Sequence, residues 1–390
     1  MTAKRKICFV TGSRAEYGLI APLMRLVQND TELELLLIAT NMHLSPEFGL
    51  TYREIEEDGF RIDRKVEMLL SGDSPAATIK SMGVGMMGLA DAYRDLSPDL
   101  IVILGDRYEM LGAAATALIY RIPVAHLCGG DVTHGAYDDA IRHAITKMSH
   151  LHFTTTEEYR RRVIQLGEVP QNVFNTGHIG IDNIRKMIPL SKIELENSLG
   201  LKFGKQVLLI TYHPATLDEE SPVSQIEHLL EALDTAASEA QLIFTMPNSD
   251  TNGAEIYRRI SRYVQEHPQR AFAFTSLGAR RYLSLIPYVN AVVGNSSSGI
   301  LEVPSFHVPT VNIGSRQEGR LAAQSVIHCD TTCKGITEAL RKALSAEFHT
   351  SMKEYGNPYE QKDTALRIYE ILKTHPLEGL TRKEFYDVPF

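Results

Sequence analysis

Three acidic residues in the first half of the chain stand where catalytic groups are common in α/β proteins. Asp106 follows the apolar run 100–104, and Asp131 follows the apolar run 123–127 and two glycines. Asp138 opens a helical pattern a few residues later. Each carboxylate could simply cap a helix. Together, on one side of one sheet, they could supply a general acid and a general base, because burial tunes the pKa of such groups.

Two basic side chains have a similar placement. Arg14 lies in the glycine-containing segment 11–18, between a predicted strand and a predicted helix. Its guanidinium suits a phosphate, and a helix start offers free N–H groups for an anion. A surface salt bridge is the alternative. His213 follows the first strand of the second half, where it could act as a general acid or base, bind a phosphate, or be structural.

The segment 294–302 joins a predicted strand to a short helix and contains three consecutive serines, which are Ser296, Ser297 and Ser298. Hydroxyl groups and free N–H groups at a helix start suit a diphosphate. Glu302, one helical turn later, suits the two hydroxyls of a ribose. The segment 314–320 follows the next strand and brings Arg316. A serine-rich turn and a surface loop are the alternative interpretation.

Alternating strand and helix patterns must position these residues. Ten apolar runs predict strands, at 6–11, 34–39, 100–104, 123–127, 151–154, 205–211, 241–245, 271–275, 291–293 and 310–313. Helical patterns separate them, and such an alternation predicts parallel sheets covered on both faces. The string at 83–88 matches the dinucleotide fingerprint, but no strand precedes it, so it predicts close helix packing or a flexible bend instead.

The pattern restarts after a polar stretch around 191–204. We therefore expect two Rossmann-like, doubly wound α/β domains, at 1–190 and 200–362, followed by a helix within 363–390. Ligands in such sheets bind at the carboxyl ends of the strands. The cleft between the two domains is the expected site.

Composition excludes several classes of protein. The 390 residues include 40 Lys and Arg against 48 Asp and Glu, a formal net charge of −8. This balance disfavours a general nucleic-acid or anionic-membrane binder. No apolar run approaches the ~20 residues of a membrane helix. Four cysteines make no disulfide framework, which predicts a reduced, cytoplasmic location.

Six segments carry a resemblance to a known family: TGSRAEYG at 11–18, LGDRYE at 104–109, IRHAITKMSHLHFTTTEEYRRRVIQLGE at 141–168, YHP at 212–214, GNSSSGILE at 294–302 and GSRQEGR at 314–320. Over nearly its whole length the chain resembles the hydrolysing UDP-N-acetylglucosamine 2-epimerases, above all the bacterial enzymes of sialic-acid biosynthesis. The combination of segments is specific, although single motifs are not.

The resemblance implies a glycosyltransferase-B-like fold with the active site in the interdomain cleft and the C-terminal helix packed back on the first domain. It places UDP mainly on the second domain, with the three serines near the phosphates and Glu302 on the ribose. Arg14 and Arg316 would neutralise the diphosphate or contact the sugar. Asn248 is counted among the substrate-binding residues. A homodimer or homotetramer is expected from the resemblance alone.

The resemblance also matches Asp106, Asp131, Asp138 and His213 to the family's catalytic region. One position departs from the pattern. Where relatives carry Glu or His in the histidine–x–x–Gly-Gly segment at 126–130, this chain has Cys128. The base could then be Asp106 or Asp131.

The chemistry of the reaction agrees with these assignments. The C2 proton of an N-acetylhexosamine has no adjacent carbonyl and is not acidic. Loss of UDP from C1 makes that proton acidic, so the expected route is elimination to a glycal, followed by addition of water at C1 and protonation at C2 from the other face. The route needs carboxylates and cations for the leaving group, and it calls for neither a metal nor NAD.

Other functions remain open. The same mechanism could act on a UDP-linked 2,4-diacetamido-2,4,6-trideoxyglucose of a legionaminic-acid pathway. A non-hydrolysing relative would return a UDP-linked product. A glycosyltransferase of the same fold would transfer the sugar to an acceptor, although the three acidic residues favour epimerisation. A nucleotide-sugar sensor would bind without turnover.

Overall fold

The computed structural model describes residues 4–70, 72, 74–134, 137–214, 220–246 and 253–389. The chain divides into two compact units. The first comprises Met1–Asp131, Tyr137–Asn183 and Gln361–Phe390, and the second comprises Val132–Ala136 and Ile184–Glu360. Within the described residues, every helix falls short of the length and apolar character that a membrane span requires.

The first unit is built on a parallel sheet of seven described strands in the order β3-β2-β1-β4-β5-β6-β7. The strands are β1 (Arg5–Thr11), β2 (Leu33–Thr40), β3 (Arg64–Val66), β4 (Leu100–Leu104), β5 (Val124–Leu127), β6 (Leu151–Thr154) and β7 (Val173–Asn175). The helices are α1 (Arg14–Gln28), α2 (Tyr52–Glu57), α3 (Pro75–Leu96), α4 (Tyr108–Tyr120), α5 (Asp138–Met148), α6 (Glu157–Gln165) and α7 (Ile179–Lys186), which runs across the unit boundary. All five residues of β4 are buried because helices cover both faces.

The second unit repeats this architecture with six described parallel strands in the order β10-β9-β8-β11-β12-β13. The strands are β8 (Val207–Thr211), β9 (Gln241–Thr245), β10 (Ala271–Phe274), β11 (Ala291–Gly294), β12 (Thr310–Ile313) and β13 (Val326–Cys329). The helices are α8 (Lys192–Leu199), α9 (Pro222–Ala236), α10 (Gly253–Glu266), α11 (Gly278–Leu285), α12 (Ser298–Leu301), α13 (Cys333–Ala343) and α14 (Ala346–Ser351). Short 3-10 helices occur at Asn41–Leu44, Pro46–Phe48, Pro170–Asn172, Ile286–Tyr288, Val303–Phe306 and Met352–Glu354.

The C-terminal helix α15 (Thr364–Thr374) belongs to the first unit and packs against α1. The carboxylate of Asp182 accepts a hydrogen bond from the Ala365 N–H at 2.8 Å, near the start of the helix. At its other end, the Lys373 ammonium lies 2.7 Å from the Asp30 carboxylate. The apolar face of α15 enters the core of this unit.

Each sheet has one point where the chain order reverses. In the first unit β1 and β4 are neighbours, and in the second unit β8 and β11 are neighbours. The loops that follow the two neighbouring strands turn away in opposite directions, which opens a crevice at the carboxyl ends of the strands. The structure thus places the loops after β1, β4, β8 and β11 at the two ligand-binding positions of this architecture.

The predicted α/β fold class is confirmed. Four predicted strands, at 100–104, 151–154, 241–245 and 310–313, have the observed bounds, and the other six differ by at most two residues. The strands that the sequence did not predict are β3, β7 and β13. All three lie at sheet edges and have residues that are exposed or only half-buried, so none is an uninterrupted apolar run.

Candidate active site

Arg142 is the central residue at the carboxyl edge of the first sheet. It lies on α5, and only 2% of it is exposed. Its guanidinium forms a salt bridge with the Asp106 carboxylate, donates to the Asp131 carbonyl at 2.7 Å, and pairs with Asp139 at 3.2 Å. Burial alone would lower its pKa, but the carboxylates of Asp106 and Asp131 raise the pKa of Arg142 above its ordinary value. One buried cation thus joins the loops after β4 and β5 to α5.

Two of the three predicted acidic residues, Asp106 and Asp131, contact this cation. The Asp131 carboxylate is buried and accepts a hydrogen bond from the Thr155 hydroxyl at 2.9 Å, after β6. Asp138 is the first residue of α5. The spacing predicts a pair between Asp138 and Arg142, and the carboxylates that the structure shows against that guanidinium are those of Asp106 and Asp139. The structure therefore brings Asp106 and Asp131 together through Arg142.

Arg14 begins α1, in the loop after β1. Its guanidinium lies 2.9 Å from the Glu54 carboxylate, and 53% of its side chain is exposed. The surface ion pair that the sequence allowed is therefore present. Exposed pairs contribute only about 0–1 kcal/mol, so this contact is a weak competitor for a bound phosphate.

Asn295 is the central residue at the carboxyl edge of the second sheet. It directly follows β11, and only 1% of it is exposed. Its side-chain carbonyl accepts from the His213 N–H at 2.7 Å, and its amide nitrogen donates to the His213 carbonyl at 2.8 Å. Its backbone carbonyl accepts from Arg316 at 2.9 Å and from Gln317 at 3.0 Å. A neutral amide therefore joins the loops after β8, β11 and β12.

Gly294 makes this junction possible. Its φ is +133°, in the region that favours glycine. A Cβ at this position would stand 1.9 Å from the Thr211 carbonyl oxygen, which belongs to the neighbouring strand β8. The glycine before the serines therefore allows the two strand ends to approach closely.

His213 is buried at the end of β8. Burial, together with the charge of Arg316, lowers the pKa of His213 to about 3. The imidazole is therefore neutral near pH 7. Its Nδ1 atom is buried and has no hydrogen-bond partner among the described residues. A neutral ring at this position can exchange hydrogen bonds with a ligand, but it is a weak base.

The serine segment forms the start of α12. The Ser298 hydroxyl donates to the Glu302 carboxylate at 2.5 Å. Burial raises the pKa of Glu302, and the hydrogen bond from Ser298 opposes that rise. The buried Tyr282 hydroxyl, from α11, makes no hydrogen bond within the part of the chain that the structure describes. Ser296 and Ser297 precede the helix, with Ser297 in its capping position.

Several residues of these sites were not predicted from the sequence. Asn295 and Tyr282 had no assigned role, and Gln317 appeared only as a loop residue. The signal for Asn295 is its position directly after a strand that ends in glycine, where a side chain must face the neighbouring loop. Asn248 was predicted to bind substrate and lies outside the described residues.

Comparisons with known proteins identify a family. A family model described as UDP-N-acetylglucosamine 2-epimerase matches residues 25–373. The chain is 45% identical to the GDP/UDP-N,N'-diacetylbacillosamine 2-epimerase (hydrolyzing) of Campylobacter jejuni, over 99% of this chain and 100% of the relative. It is 37% identical to the polysialic acid biosynthesis protein P7 of Escherichia coli, over 99% and 98%. It is 35% identical to the UDP-N,N'-diacetylbacillosamine 2-epimerase (hydrolyzing) of Legionella pneumophila, over 96% and 97%.

Solved structures share the fold. The Staphylococcus aureus MnaA–UDP structure aligns with a TM-score of 0.80 at 16% identity, covering 99% of this chain and 100% of that chain. The Neisseria meningitidis UDP-GlcNAc 2-epimerase bound to UDP-GlcNAc aligns with a TM-score of 0.71 at 18% identity, covering 94% and 99%. The predicted glycosyltransferase-B-like fold class is confirmed by these matches.

Proposed function

Because the chain belongs to the UDP-N-acetylglucosamine 2-epimerase family, we propose that it is a hydrolysing nucleotide-sugar 2-epimerase. It converts a UDP-linked 2-acetamido sugar and water to the free C2 epimer and UDP. The observation that carries this proposal is the buried Arg142 at the carboxyl edge of the first sheet, whose guanidinium binds the Asp106 and Asp139 carboxylates and the Asp131 backbone carbonyl. Acid–base chemistry at a carbon needs such fixed carboxylates.

The reaction proceeds in two stages. In the first, the C1–O bond to UDP breaks and a carboxylate removes the C2 proton, which gives a glycal. In the second, water adds at C1, and an acid returns a proton to C2 from the opposite face. Asp106, Asp131 and Asp138 are the candidates for these proton transfers, each worth ~10²–10⁴-fold in rate. Cys128 stands where relatives carry Glu or His, so Asp106 or Asp131 is the proposed C2 base.

The second unit holds the leaving group in this proposal. Ser296, Ser297 and Ser298 bind the diphosphate, and Glu302 binds the ribose hydroxyls. Such groups stabilise the charge that develops as UDP departs. Arg316 adds a cation beside the Asn295 carbonyl.

His213, Arg14 and Asn248 complete the assignments. The lowered pKa of His213 favours a hydrogen bond to the departing diphosphate over a role as general base. Arg14 leaves its exposed ion pair to meet the diphosphate or the sugar. Asn248 is proposed as a substrate contact from the resemblance alone.

The names of the relatives bear on the identity of the sugar. Two of the three relatives above are named N,N'-diacetylbacillosamine 2-epimerases, including the one at 45% identity. We therefore place nucleotide-linked N,N'-diacetylbacillosamine first and UDP-N-acetylglucosamine second, which reverses the order suggested by the sequence. The polysialic acid protein at 37% identity keeps UDP-N-acetylglucosamine and a sialic-acid pathway as the alternative.

Proton NMR in D₂O tests the reaction and the sugar together. The purified protein is mixed in separate tubes with UDP-N,N'-diacetylbacillosamine, its GDP-linked form and UDP-N-acetylglucosamine, with no acceptor. Release of the nucleoside diphosphate and a free epimer deuterated at C2 establishes hydrolytic epimerisation on the sugar that reacts. A nucleotide-linked epimer would indicate the non-hydrolysing reaction. No turnover in any tube, with binding intact, would favour a glycosyltransferase or a sensor.

We also propose that the protein acts in the cytoplasm as a homodimer or homotetramer. Three large apolar side chains of α3 and α4, Ile79, Met87 and Ile119, are 65%, 67% and 80% exposed in the single chain. Self-association would cover such groups. Light scattering during size-exclusion chromatography measures the mass, and a monomeric mass at all concentrations would refute the oligomer.

A further inference from the structure

Two buried glutamates flank Gly12, in the loop after β1. Glu16 lies in the first turn of α1 and Glu109 in the first turn of α4, and they are 6% and 1% exposed. One carboxylate oxygen of Glu16 accepts from the N–H groups of Gly12 and Ser13 at 2.8 and 3.1 Å. A Cβ on Gly12 would stand 2.5 Å from a carboxylate oxygen of Glu109. The two side chains therefore pack against the same loop from two helices.

The hydrogen bonds of these carboxylates are incomplete. Oε1 of Glu16 and Oε2 of Glu109 are buried and make no hydrogen bond with any described residue. Glu109 has one strong partner, the Arg107 guanidinium at 2.7 Å. A buried, unpartnered carboxylate oxygen is costly, because water no longer solvates its charge.

The charges around the pair do not balance without a proton. Arg107 is the one cation facing two carboxylates among the described groups that pack here. His43 bonds the Thr11 hydroxyl at 3.1 Å, and burial lowers the pKa of His43 to about 4, so it is neutral. The Tyr108 hydroxyl donates to Asn41 at 3.2 Å, and burial raises its pKa, so it is neutral too.

The position of the proton follows from these surroundings. Burial, and then the nearby Glu109 carboxylate, raise the pKa of Glu16 to about 8, against the opposing effects of Arg107 and of the two backbone N–H groups. Glu109 keeps its ion pair with Arg107. At neutral pH, Glu16 is therefore the member of the pair that retains the proton.

We propose that Glu16 and Glu109 are positioning residues, and that one proton retained on Glu16 holds the loop of Gly12, Ser13 and Arg14 in the geometry that binds the nucleotide sugar. The inference rests on the proposed function, because Arg14 is a proposed contact of the substrate. Arg107 follows Asp106 directly, so the same cluster also anchors the turn that carries a proposed catalytic carboxylate. Loss of the proton would leave two negative charges beside this loop.

The proposal predicts an alkaline limit on substrate binding. In the wild type, kcat/KM for the reacting nucleotide sugar should fall ~10-fold per pH unit above about pH 8, mainly through KM. Glu16→Gln keeps an oxygen acceptor for the Gly12 and Ser13 N–H groups and cannot ionise. This variant should retain activity at pH 7 to within about threefold and lose the alkaline limit.

Three further variants make the outcome decisive. Glu16→Ala removes the acceptor and should raise KM at least ~10-fold at every pH. Glu109→Gln removes the second carboxylate and should move the alkaline limit to higher pH. Glu57→Gln, on the exposed side of α2, should leave the profile unchanged. An unchanged alkaline limit in Glu16→Gln, or the same loss in Glu16→Gln as in Glu16→Ala, would overturn the proposal.

Urea unfolding as a function of pH tests the proton without any substrate. Glu16 has a raised pKa, so the folded state binds one more proton than the unfolded state between about pH 4.5 and 8. Wild-type stability relative to Glu16→Gln should therefore fall as pH rises through this window and level off above it. Subtracting the unfolding free energy of Glu16→Gln from that of the wild type at each pH cancels the contributions of the other ionisable groups. If this difference in unfolding free energy did not change with pH, the retained proton would be refuted. If it fell with rising pH but the protein showed no turnover, the proton on Glu16 would stand and only the proposed function would be contradicted.

Discussion

The two sheet edges are organised by central residues of opposite kinds. Arg142 is a buried cation that gathers the carboxylates of Asp106 and Asp139 in the first unit. Asn295 is a buried neutral amide that gathers backbone groups of His213 in the second unit. The first arrangement fixes negative charge in place, and the second builds a junction without adding negative charge. This difference matches a division of labour in which the first edge moves protons and the second binds an anion.

The same contrast extends to the neighbouring side chains. Around Arg142 the Asp106 and Asp139 carboxylates pair with the guanidinium, because a buried charge is tolerated only when it is paired. The partners of Asn295 are His213, which is neutral, together with Gln317 and Arg316. A diphosphate brings its own negative charge, so a neutral or cationic edge suits it better than a carboxylate-rich one.

The largest expected effect comes from removing a charge at the first edge. Asp106→Asn keeps the shape of the side chain but abolishes its basicity and its ion pair with Arg142. We expect kcat to fall ~10²–10⁴-fold with a small change in KM, measured by the release of nucleoside diphosphate. Asp139→Asn, which touches the same guanidinium, is the matched control and should cost at most a few-fold. If kcat fell equally in the two variants, Asp106 would not be the residue that transfers the proton.

The second effect in size is on stability. Arg142→Met leaves the Asp106 and Asp139 carboxylates without their shared cation and the Asp131 carbonyl without its donor. Breaking a buried ion pair in this way should lower the free energy of unfolding by ~3–5 kcal/mol in urea titrations. Arg94→Met, which removes an exposed arginine with an Asp91 partner at 2.8 Å, is the control and should cost far less, because water solvates both of these side chains. A cost for Arg142→Met as small as that of the control would contradict the central role of this cation.

The third effect tests whether the side chain at the centre of the second edge, Asn295, must be neutral. Asn295→Ala leaves the His213 N–H and carbonyl without their partners and should cost ~1–3 kcal/mol of unfolding free energy, with little dependence on salt. Asn295→Asp keeps one acceptor but adds a negative charge beside the proposed diphosphate site. We expect it to raise KM at least ~10-fold. If the KM of Asn295→Asp equalled that of the wild type, substrate binding would not depend on a neutral side chain at this position.

Much of the fold could be predicted from the sequence, because its central strands are uninterrupted apolar runs buried on both faces. The run at 100–104 is an example, with all five residues buried. The short edge strands could not be predicted, since β3 exposes two of its three residues and has no apolar pattern. The string at 83–88 lies inside α3, where a Cβ on Gly88 would stand 2.6 Å from Val66 and one on Gly85 would stand 2.9 Å from Met68, so close packing explains these two glycines, whereas a Cβ on Gly83 would meet open space.

The candidate site could be predicted less completely. Asp106 and His213 were found because each directly follows a central strand. The central roles of Arg142 and Asn295 could not be read from spacing, because their partners are distant: Arg142 meets Asp106 across 36 positions and Asn295 meets His213 across 82. The burial of Glu16 and Glu109 was equally hidden, since acidic residues in a first helical turn usually face water as caps.

The smallest expected effect concerns the protonation of His213. Its pKa is lowered to about 3 in the folded protein, so between that value and about pH 6.5 the unfolded state binds the extra proton. Stability should therefore fall with acidification, by at most ~1.4 kcal/mol per pH unit from this one residue. His213→Gln should remove that component while differing little from the wild type at pH 7. Urea titrations at pH 5.5 and 7.0 measure it.

A matched histidine shows whether this response belongs to the second edge. His349 lies on α14 and is partly exposed, and His349→Gln, measured in the same titrations, is the control for the substitution itself. If His213→Gln lost stability on acidification as steeply as the wild type, the ring would already carry a proton in the folded state. The second edge would then hold a buried cation, as the first edge does, and the contrast between a charged and a neutral centre would fail at His213.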